Sequence, residues 1–98
     1  MRTKHDIVKA NPFRRLERIV KGFANHRRIQ ILQLLRRKPE SSVFEIAGAL
    51  DMNIKTASEH TRRLAIAGLV LKRNQGLMVR HKLTARGESI LKFLRILE

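Results

Sequence analysis

The stretch that decides the fold is SSVFEIAGALDMNIKTASEHTRRLAIAGLV, residues 41–70. Ser42 and Glu45 have the spacing of a capping box, in which the hydroxyl and the carboxylate each satisfy a free amide of the first helical turn. A short helix is therefore predicted over Val43–Leu50. Asp51-Met52-Asn53 predicts a turn, and Asn53 is a suitable N-cap for a longer helix that ends at Gly68.

The flanking segments extend this pattern in both directions. Upstream, Asn11-Pro12 predicts the start of an amphipathic helix of about three turns, and a second helix is expected from about His26 to Arg37, since Pro39 prevents its continuation. Downstream, the runs Leu69–Arg73 and Leu77–Leu83 predict a β-hairpin around Asn74-Gln75-Gly76. Thr84 is positioned to cap a last helix.

The predicted order is helix, helix, helix, helix, strand, strand, helix. This is a mainly α fold with a small β-hairpin wing, the winged helix-turn-helix arrangement. Apolar residues of the two central helices are expected to pack these helices against each other and to leave the outer face of the second one free. They are Phe44, Ile46, Ala47, Leu50, Ile54, Ala57 and Leu64.

The charge balance indicates a polyanionic partner. The 98 residues contain 22 Lys and Arg against 8 Asp and Glu, which gives a formal net charge of +14. Solubility of a small domain requires only about 2 to 8 charges, so nucleic acid is the expected partner. Ribosomal and membrane-surface proteins share this sign of charge, and a merely solvated basic surface is the plain alternative.

The sequence does not favour a metal site, a disulfide, a catalytic site or a membrane span. No cysteine is present, which excludes disulfides and thiolate metal sites, and the 4 histidines are scattered without ligand spacing. No phosphate-binding glycine loop, nucleophile motif or carboxylate pair occurs, so no enzyme activity, cofactor or metal is expected. Apolar runs are too short to span a bilayer, and no secretory signal is evident, so a cytoplasmic protein is expected.

The free face of the longer central helix carries side chains suited to the DNA major groove. Arg can bond guanine bidentately, Ser and Thr can reach a base edge or a phosphate, and Glu can accept from cytosine. The predicted contacts are Asn53, Lys55, Thr56, Ser58, Glu59, His60, Arg62 and Arg63. An ordinary solvated helix face is the alternative, and Glu59 has a second interpretation as an ion-pair partner of Arg62 or Arg63.

The hairpin adds a second set of predicted DNA contacts, because basic wings track phosphates or enter a minor groove. This set comprises Lys72, Arg73, Asn74, Gln75 and Arg80, with Lys82 on the same ribbon. Arg73, Asn74 and Gln75 are placed near the wing tip. A plain soluble turn is the alternative interpretation.

Both ends of the chain carry more apolar residues than a single core-facing stripe requires. Burial of the surplus against a second copy predicts a homodimer in which the first and last helices pair across a two-fold axis. The interface is predicted at Phe13, Leu16, Ile19, Val20, Ile90, Phe93, Leu94 and Leu97. A last helix buried in its own core is the alternative.

From about Phe23 to Leu83 the sequence resembles the ArsR-type family of bacterial and archaeal repressors. Similar motifs are Phe23–Leu32 at the opening, Ala57–Leu64 in the recognition helix and Ala67-Gly68-Leu69-Val70 at its exit. The resemblance implies a homodimer and repression relieved by a ligand, whose identity the residues leave unknown. MarR-like and other winged-helix regulators share much of this pattern.

Two departures from that family pattern matter. Where metal-sensing members have a Cys-Val-Cys type stretch, this chain has Ser42-Val43-Phe44, which excludes a thiolate sensor at that position. Thr61 and Arg63 occupy positions that are usually apolar in the family.

The sequence thus predicts a basic arm over residues 1–11 and a DNA-binding and dimerisation domain over residues 12–98. The predicted function is sequence-specific binding of double-stranded DNA by a dimeric regulator that acts as a repressor. Two alternatives remain open: a basic architectural or RNA-binding protein without base readout, and a protein-interaction winged helix within a larger assembly.

Overall fold

The structure is a computed structural model that describes residues 11–98, so almost all of the predicted N-terminal arm lies outside the described residues. The described part contains five helices and one two-stranded antiparallel sheet in the predicted order. The elements are α1 (Pro12–Phe23), α2 (His26–Arg37), α3 (Val43–Ala49), α4 (Ile54–Ile66), β1 (Val70–Gln75), β2 (Met78–Leu83) and α5 (Ala85–Ile96). The predicted winged helix-turn-helix architecture is confirmed.

Side-chain caps define where the helices begin. In the capping box of α3, Ser42 Oγ accepts from the Glu45 amide at 3.2 Å and Glu45 Oε1 accepts from the Ser42 amide at 3.1 Å. Asn53 Oδ1 accepts from the Lys55 amide at 2.8 Å, as expected of the α4 N-cap. Asn25 is the N-cap of α2, a role that the sequence analysis did not assign. Each cap satisfies amides that would otherwise lack a partner.

The core lies between α2 and the two central helices. Ile31, Leu32 and Leu35 of α2 are completely buried, together with Ile46, Leu64 and Leu69. Gly22 brings α1 close to α4, because a Cβ at this position would clash with the Ala67 side chain. The glycine is therefore needed for a close approach of two helices, in addition to weakening the end of α1.

Two of the predicted core positions are wrong. Phe44 is 58% exposed and Ile54 is also exposed, so neither packs α3 against α4. The inward side of α3 is occupied by Ile46 and Ala47, which turns Phe44 outward by the helical period. Ile54 is the first residue of α4 and precedes Ala57, the first of the buried positions on its inner side.

The wing is longer and its turn is tighter than predicted. Asn74 and Gln75 pair with Val79 and Met78 inside the sheet, and the turn consists of Gly76 and Leu77. Gly76 has a φ of +59°, a conformation that favours glycine. The placement of Asn74 in the turn was wrong, because the strand pairing continues to Gln75.

The wing is joined to the segment that precedes α3. His81 in β2 donates its amide to the Ser41 carbonyl at 2.9 Å, and the His81 carbonyl accepts from the Glu40 amide at 2.9 Å. None of the helices within residues 11–98 is long and apolar enough to cross a membrane.

Candidate nucleic-acid interface

A side chain of α2 forms hydrogen bonds with the turn between α3 and α4. Arg27 Nη2 donates to the Leu50 carbonyl at 2.7 Å and to the Asp51 carbonyl at 3.3 Å. Asp51 has a φ of +51°, so this turn needs such support. Arg27 was missed by the sequence analysis, because its partners lie more than twenty residues away and are backbone atoms.

Helix α4 presents the predicted polar face to solvent. Ala57, Thr61 and Leu64 are buried on its inner side. The exposed residues on its outer side are Lys55, Thr56, Ser58, Glu59, Arg62 and Arg63, and its N-cap Asn53 is also exposed. The structure therefore brings these seven predicted site residues onto one accessible surface.

Glu59 holds both arginines of this face. Arg62 donates to its carboxylate from Nη2 at 2.8 Å and from Nε at 3.0 Å, and Arg63 Nε donates at 3.3 Å. The hydrogen bond from Arg62 is the main reason why the pKa of Glu59 is lowered to about 2. The carboxylate is therefore ionised, and the ion-pair interpretation of Glu59 is confirmed for the isolated chain.

His60 lies at the inner edge of α4, half-buried against α2. Its Nδ1 is 3.3 Å from Nη1 of Arg28, a buried arginine that also donates to the Lys21 carbonyl at 3.3 Å. Burial is the main cause that lowers the pKa of His60, and the positive charge of Arg28 acts in the same direction. A neutral imidazole can accept the hydrogen bond from Arg28, so His60 helps to position α4 on α2.

Thr61 is buried, and its hydroxyl has a hydrogen-bond partner. Its hydroxyl donates to the Ser58 carbonyl at 2.9 Å, and the residue is only 1% exposed. The structure thus accommodates a threonine at a position where the family that the sequence resembles usually has an apolar residue. Arg63, the other departure, lies on the exposed side and pairs with Glu59.

The two wing arginines point back toward α3. Arg73 Nη2 donates to Glu40 Oε2 at 2.9 Å, and Arg80 Nη1 donates to Glu45 Oε1 at 2.7 Å. Arg80 Nε also donates to Gln75 Oε1 at 3.2 Å. Arg73 is therefore directed away from the wing tip near which it was placed, while Lys72, Asn74 and Lys82 are exposed along the ribbon.

These exposed side chains form an arrangement suited to contact with a duplex. One helix face carries Lys, Thr, Ser and Arg side chains, and a lysine-bearing ribbon stands beside it. No group of three or more His, Cys, Asp or Glu side chains that could hold a metal ion occurs within residues 11–98.

Comparison with known proteins identifies the family. A family model described as winged helix-turn-helix DNA-binding matches residues 25–70. The homodimeric winged helix-turn-helix DNA-binding domain of Mycobacterium bovis, a possible ArsR-family transcriptional regulator, superposes with a TM-score of 0.84 at 30% identity, over 99% of this chain and 87% of that domain. The chain belongs to the ArsR-type winged helix-turn-helix regulators.

Two curated relatives of this ArsR-type chain are regulators as well. An HTH-type transcriptional regulator of Mycobacterium tuberculosis is 36% identical over 81 residues, which cover 83% of this chain and 34% of that protein. A cadmium resistance transcriptional regulatory protein homologue of Staphylococcus aureus is 29% identical over 82 residues, 84% of this chain and 67% of that protein. The ArsR-type chain thus spans about a third of the Mycobacterium tuberculosis regulator.

Proposed function

We propose that this chain binds double-stranded DNA in a sequence-specific manner and acts as a dimeric transcriptional repressor. The observation that carries the proposal is the outer face of α4, where six polar or charged side chains are exposed on a helix that α2 and α3 hold in place. Such a helix can enter a major groove, while the wing contacts the adjacent backbone. The net charge of +14 supplies the attraction to phosphates.

The proposed contacts divide into available and engaged side chains. Lys55, Thr56 and Ser58 on α4, and Lys72 and Asn74 on the wing, are exposed and form no side-chain hydrogen bond within the described residues. The engaged side chains are Asn53, Glu59, His60, Arg62, Arg63, Arg73, Gln75 and Arg80. Base readout by Arg62 requires its guanidinium to leave Glu59, or both side chains to approach the bases as a pair.

The proposed dimer rests on apolar side chains that the isolated chain leaves uncovered. On α1, Phe13 is 75% exposed, and Leu16 and Val20 are also exposed. On α5, Phe93 is exposed, and Leu97, the residue that follows this helix, is 65% exposed. Ile19, Ile90 and Leu94 are partly buried against the core and are the remaining residues of the proposed interface. Mutual burial of the two stripes would remove this apolar surface from water and place two α4 helices on successive major grooves.

The proposed function divides the chain into two segments. Residues 12–98 form the proposed DNA-binding and dimerisation domain, and residues 1–11 the proposed basic arm. We propose that the chain acts without catalytic activity. Its proposed location is the cytoplasm, where a regulator meets its operator.

Selection of duplexes from a random pool tests the proposal. A sequence-specific regulator should bind the selected duplex about a thousandfold more tightly than a random duplex of equal length at the same salt concentration. Equal affinities for both duplexes would favour the architectural alternative, and absence of duplex binding would favour a protein-interaction module. Sedimentation of the free chain tests the dimer separately.

A further inference from the structure

A basic groove lies between α1, the second half of α4 and the start of α5. Its volume is about 530 Å³, and cationic side chains from all three helices line it. They are Arg15, Arg18, Lys21, Arg62, Arg63 and Arg86. Within residues 11–98 no carboxylate lines this groove, whereas Glu98 lines the other large groove, which lies between α2 and α5. The groove is therefore a concentration of positive charge within a cationic chain.

The carboxylates around this groove do not balance its charge. Glu17 pairs with Lys21 at 3.4 Å, and Glu59 is shared between Arg62 and Arg63. Arg15 and Arg18 have no ion pair within the described residues. Arg28 adds a buried cation behind the groove, bonded to the Lys21 carbonyl, and its Nε lacks a hydrogen-bond partner in the described part of the chain. Burial and the charge of Arg63 both lower the pKa of Arg28.

The floor of the groove is apolar. Ile66 and Ala67 line it together with Ile19, which also belongs to the proposed dimer interface. Ile66 is 72% exposed although it belongs to the helix that carries the proposed recognition face. The close contact of Gly22 with Ala67 makes the base of the groove. Phosphate groups of a duplex would pair with the arginines but leave these apolar side chains in water. A small ligand with an anionic head and an apolar body would satisfy both.

We propose that this groove binds a small amphiphilic anion, with its carboxylate, sulfonate or phosphate head held by Arg15, Arg18 and Arg86 and its apolar body on Ile66. The volume lies within the range of small-molecule sites, roughly 300 to 1,000 Å³. Of the three, Arg86 is held by a hydrogen bond, because its Nη1 donates to the Ala67 carbonyl at 3.0 Å. Its remaining N–H groups have no hydrogen-bond partner within the described residues and can donate to a ligand.

The position of the groove gives the ligand a regulatory effect, an inference that rests on the proposed function. Arg62 and Arg63 line the groove and also belong to the proposed duplex contacts. An anion bound there would neutralise part of the charge that attracts phosphates, so occupancy would lower duplex affinity. Binding of the ligand itself does not depend on any interaction with DNA.

The test uses the whole chain without DNA and sodium octanoate as the probe, followed by calorimetry or by amide shifts in NMR spectra. Saturable binding at one site per chain is expected, with shifts centred on Arg18, Ile66 and Arg86. Acetate, which lacks the apolar body, and octylammonium, which reverses the charge, should each bind roughly tenfold more weakly or not at all.

Variants locate the site on the groove. Arg18→Ala and Ile66→Ser should each weaken octanoate binding by roughly tenfold. Arg14→Ala is the matched control, since Arg14 is an exposed arginine of the same helix that does not line the groove, and it should bind as the wild type does. Far-UV circular dichroism confirms that each variant is folded.

Several results would overturn the proposal. These are no saturable octanoate binding, equal binding of acetate or octylammonium, or equal losses in Arg14→Ala and Arg18→Ala. Loss of duplex affinity in Arg18→Ala without any octanoate binding by the wild type would make the groove a DNA-backbone contact instead. Failure of duplex binding with octanoate binding intact would reject the proposed function and leave the ligand site standing.

Discussion

The middle of the chain and its two ends use apolar residues in opposite ways. Between α2 and β1, Ile46, Leu64 and Leu69 are completely buried within the chain, although Phe44 and Ile66 of the same region are exposed. On α1 and at the C-terminal end of α5, large apolar side chains such as Phe13 and Leu97 remain mostly exposed. The difference indicates that the central unit is complete in one copy, whereas the ends have apolar surface left for a partner. Substitutions in the two regions should therefore affect different observables.

The largest effect is expected from the middle. Leu64→Ala removes a fully buried side chain and leaves a cavity, so it should lower the free energy of unfolding by about 2 to 5 kcal/mol. Urea denaturation at two protein concentrations measures the loss. Ile66→Ala, two positions along the same helix but exposed, is the control and should change stability by less than about 0.5 kcal/mol. Similar losses in both variants would contradict the assignment of helix faces.

At the ends, Leu97→Glu should break the proposed dimer while the chain stays folded. Leu97 is mostly exposed in one copy, so the new carboxylate is solvated in the monomer but would be buried without a partner at the seam. Sedimentation should show monomers at concentrations where the wild type is a dimer. Leu77→Glu at the wing tip is the matched control and should leave the sedimentation coefficient unchanged. A wild-type chain that sediments as a monomer would refute the comparison itself.

A smaller effect is expected on the outer face of α4. Glu59→Gln removes the carboxylate that holds Arg62 and Arg63, which should raise duplex affinity by roughly threefold to tenfold and steepen its dependence on salt concentration. Fluorescence anisotropy over a salt series measures both. Glu17→Gln removes the same charge from α1 and serves as the control. Loss of affinity confined to one base position would instead assign Glu59 to base readout.

The smallest effect is a dependence of stability on pH. Burial lowers the pKa of His60 below its ordinary value of 6.5, so the unfolded chain takes up a proton that the folded chain resists. Above that value His60 is neutral in both states and the folded chain keeps its full stability. As the pH falls below it, protonation favours the unfolded chain and the free energy of unfolding decreases. The Tm should therefore decrease from about pH 8 to about pH 5, and less steeply in His60→Gln. His26→Gln, at an exposed position, should keep the wild-type slope.

The sequence predicts those features of the fold that depend on residues close together in the chain. Ser42 and Glu45 are three residues apart, and the capping box that they form follows from local spacing alone. Asn53, Thr84 and Gly68 likewise set the limits of α4 and α5. The prediction fails at Phe44, because an apolar residue at a plausible position does not reveal the phase of a seven-residue helix.

In the candidate site, too, the features that depend on local spacing could be predicted and those that depend on distant residues could not. Lys55, Thr56 and Arg62 were placed on the outer face of α4 from the helical period, and the structure exposes all three. The pairing of Arg73 with Glu40 and of Arg80 with Glu45 depends on how the hairpin folds back, over separations of 33 and 35 residues. No periodicity contains that information, so the engagement of the wing arginines could not be predicted.

The attachment of β2 to Ser41, together with the pair of Arg80 and Glu45, has a consequence for the proposed binding of DNA. It joins the wing to the start of α3, so in the proposed complex the wing and α4 would meet the duplex at a set distance from each other. A duplex that does not match this distance must itself bend or twist, which costs more for stiff base steps than for flexible ones. Base pairs that no side chain touches would then contribute to operator choice through their deformability.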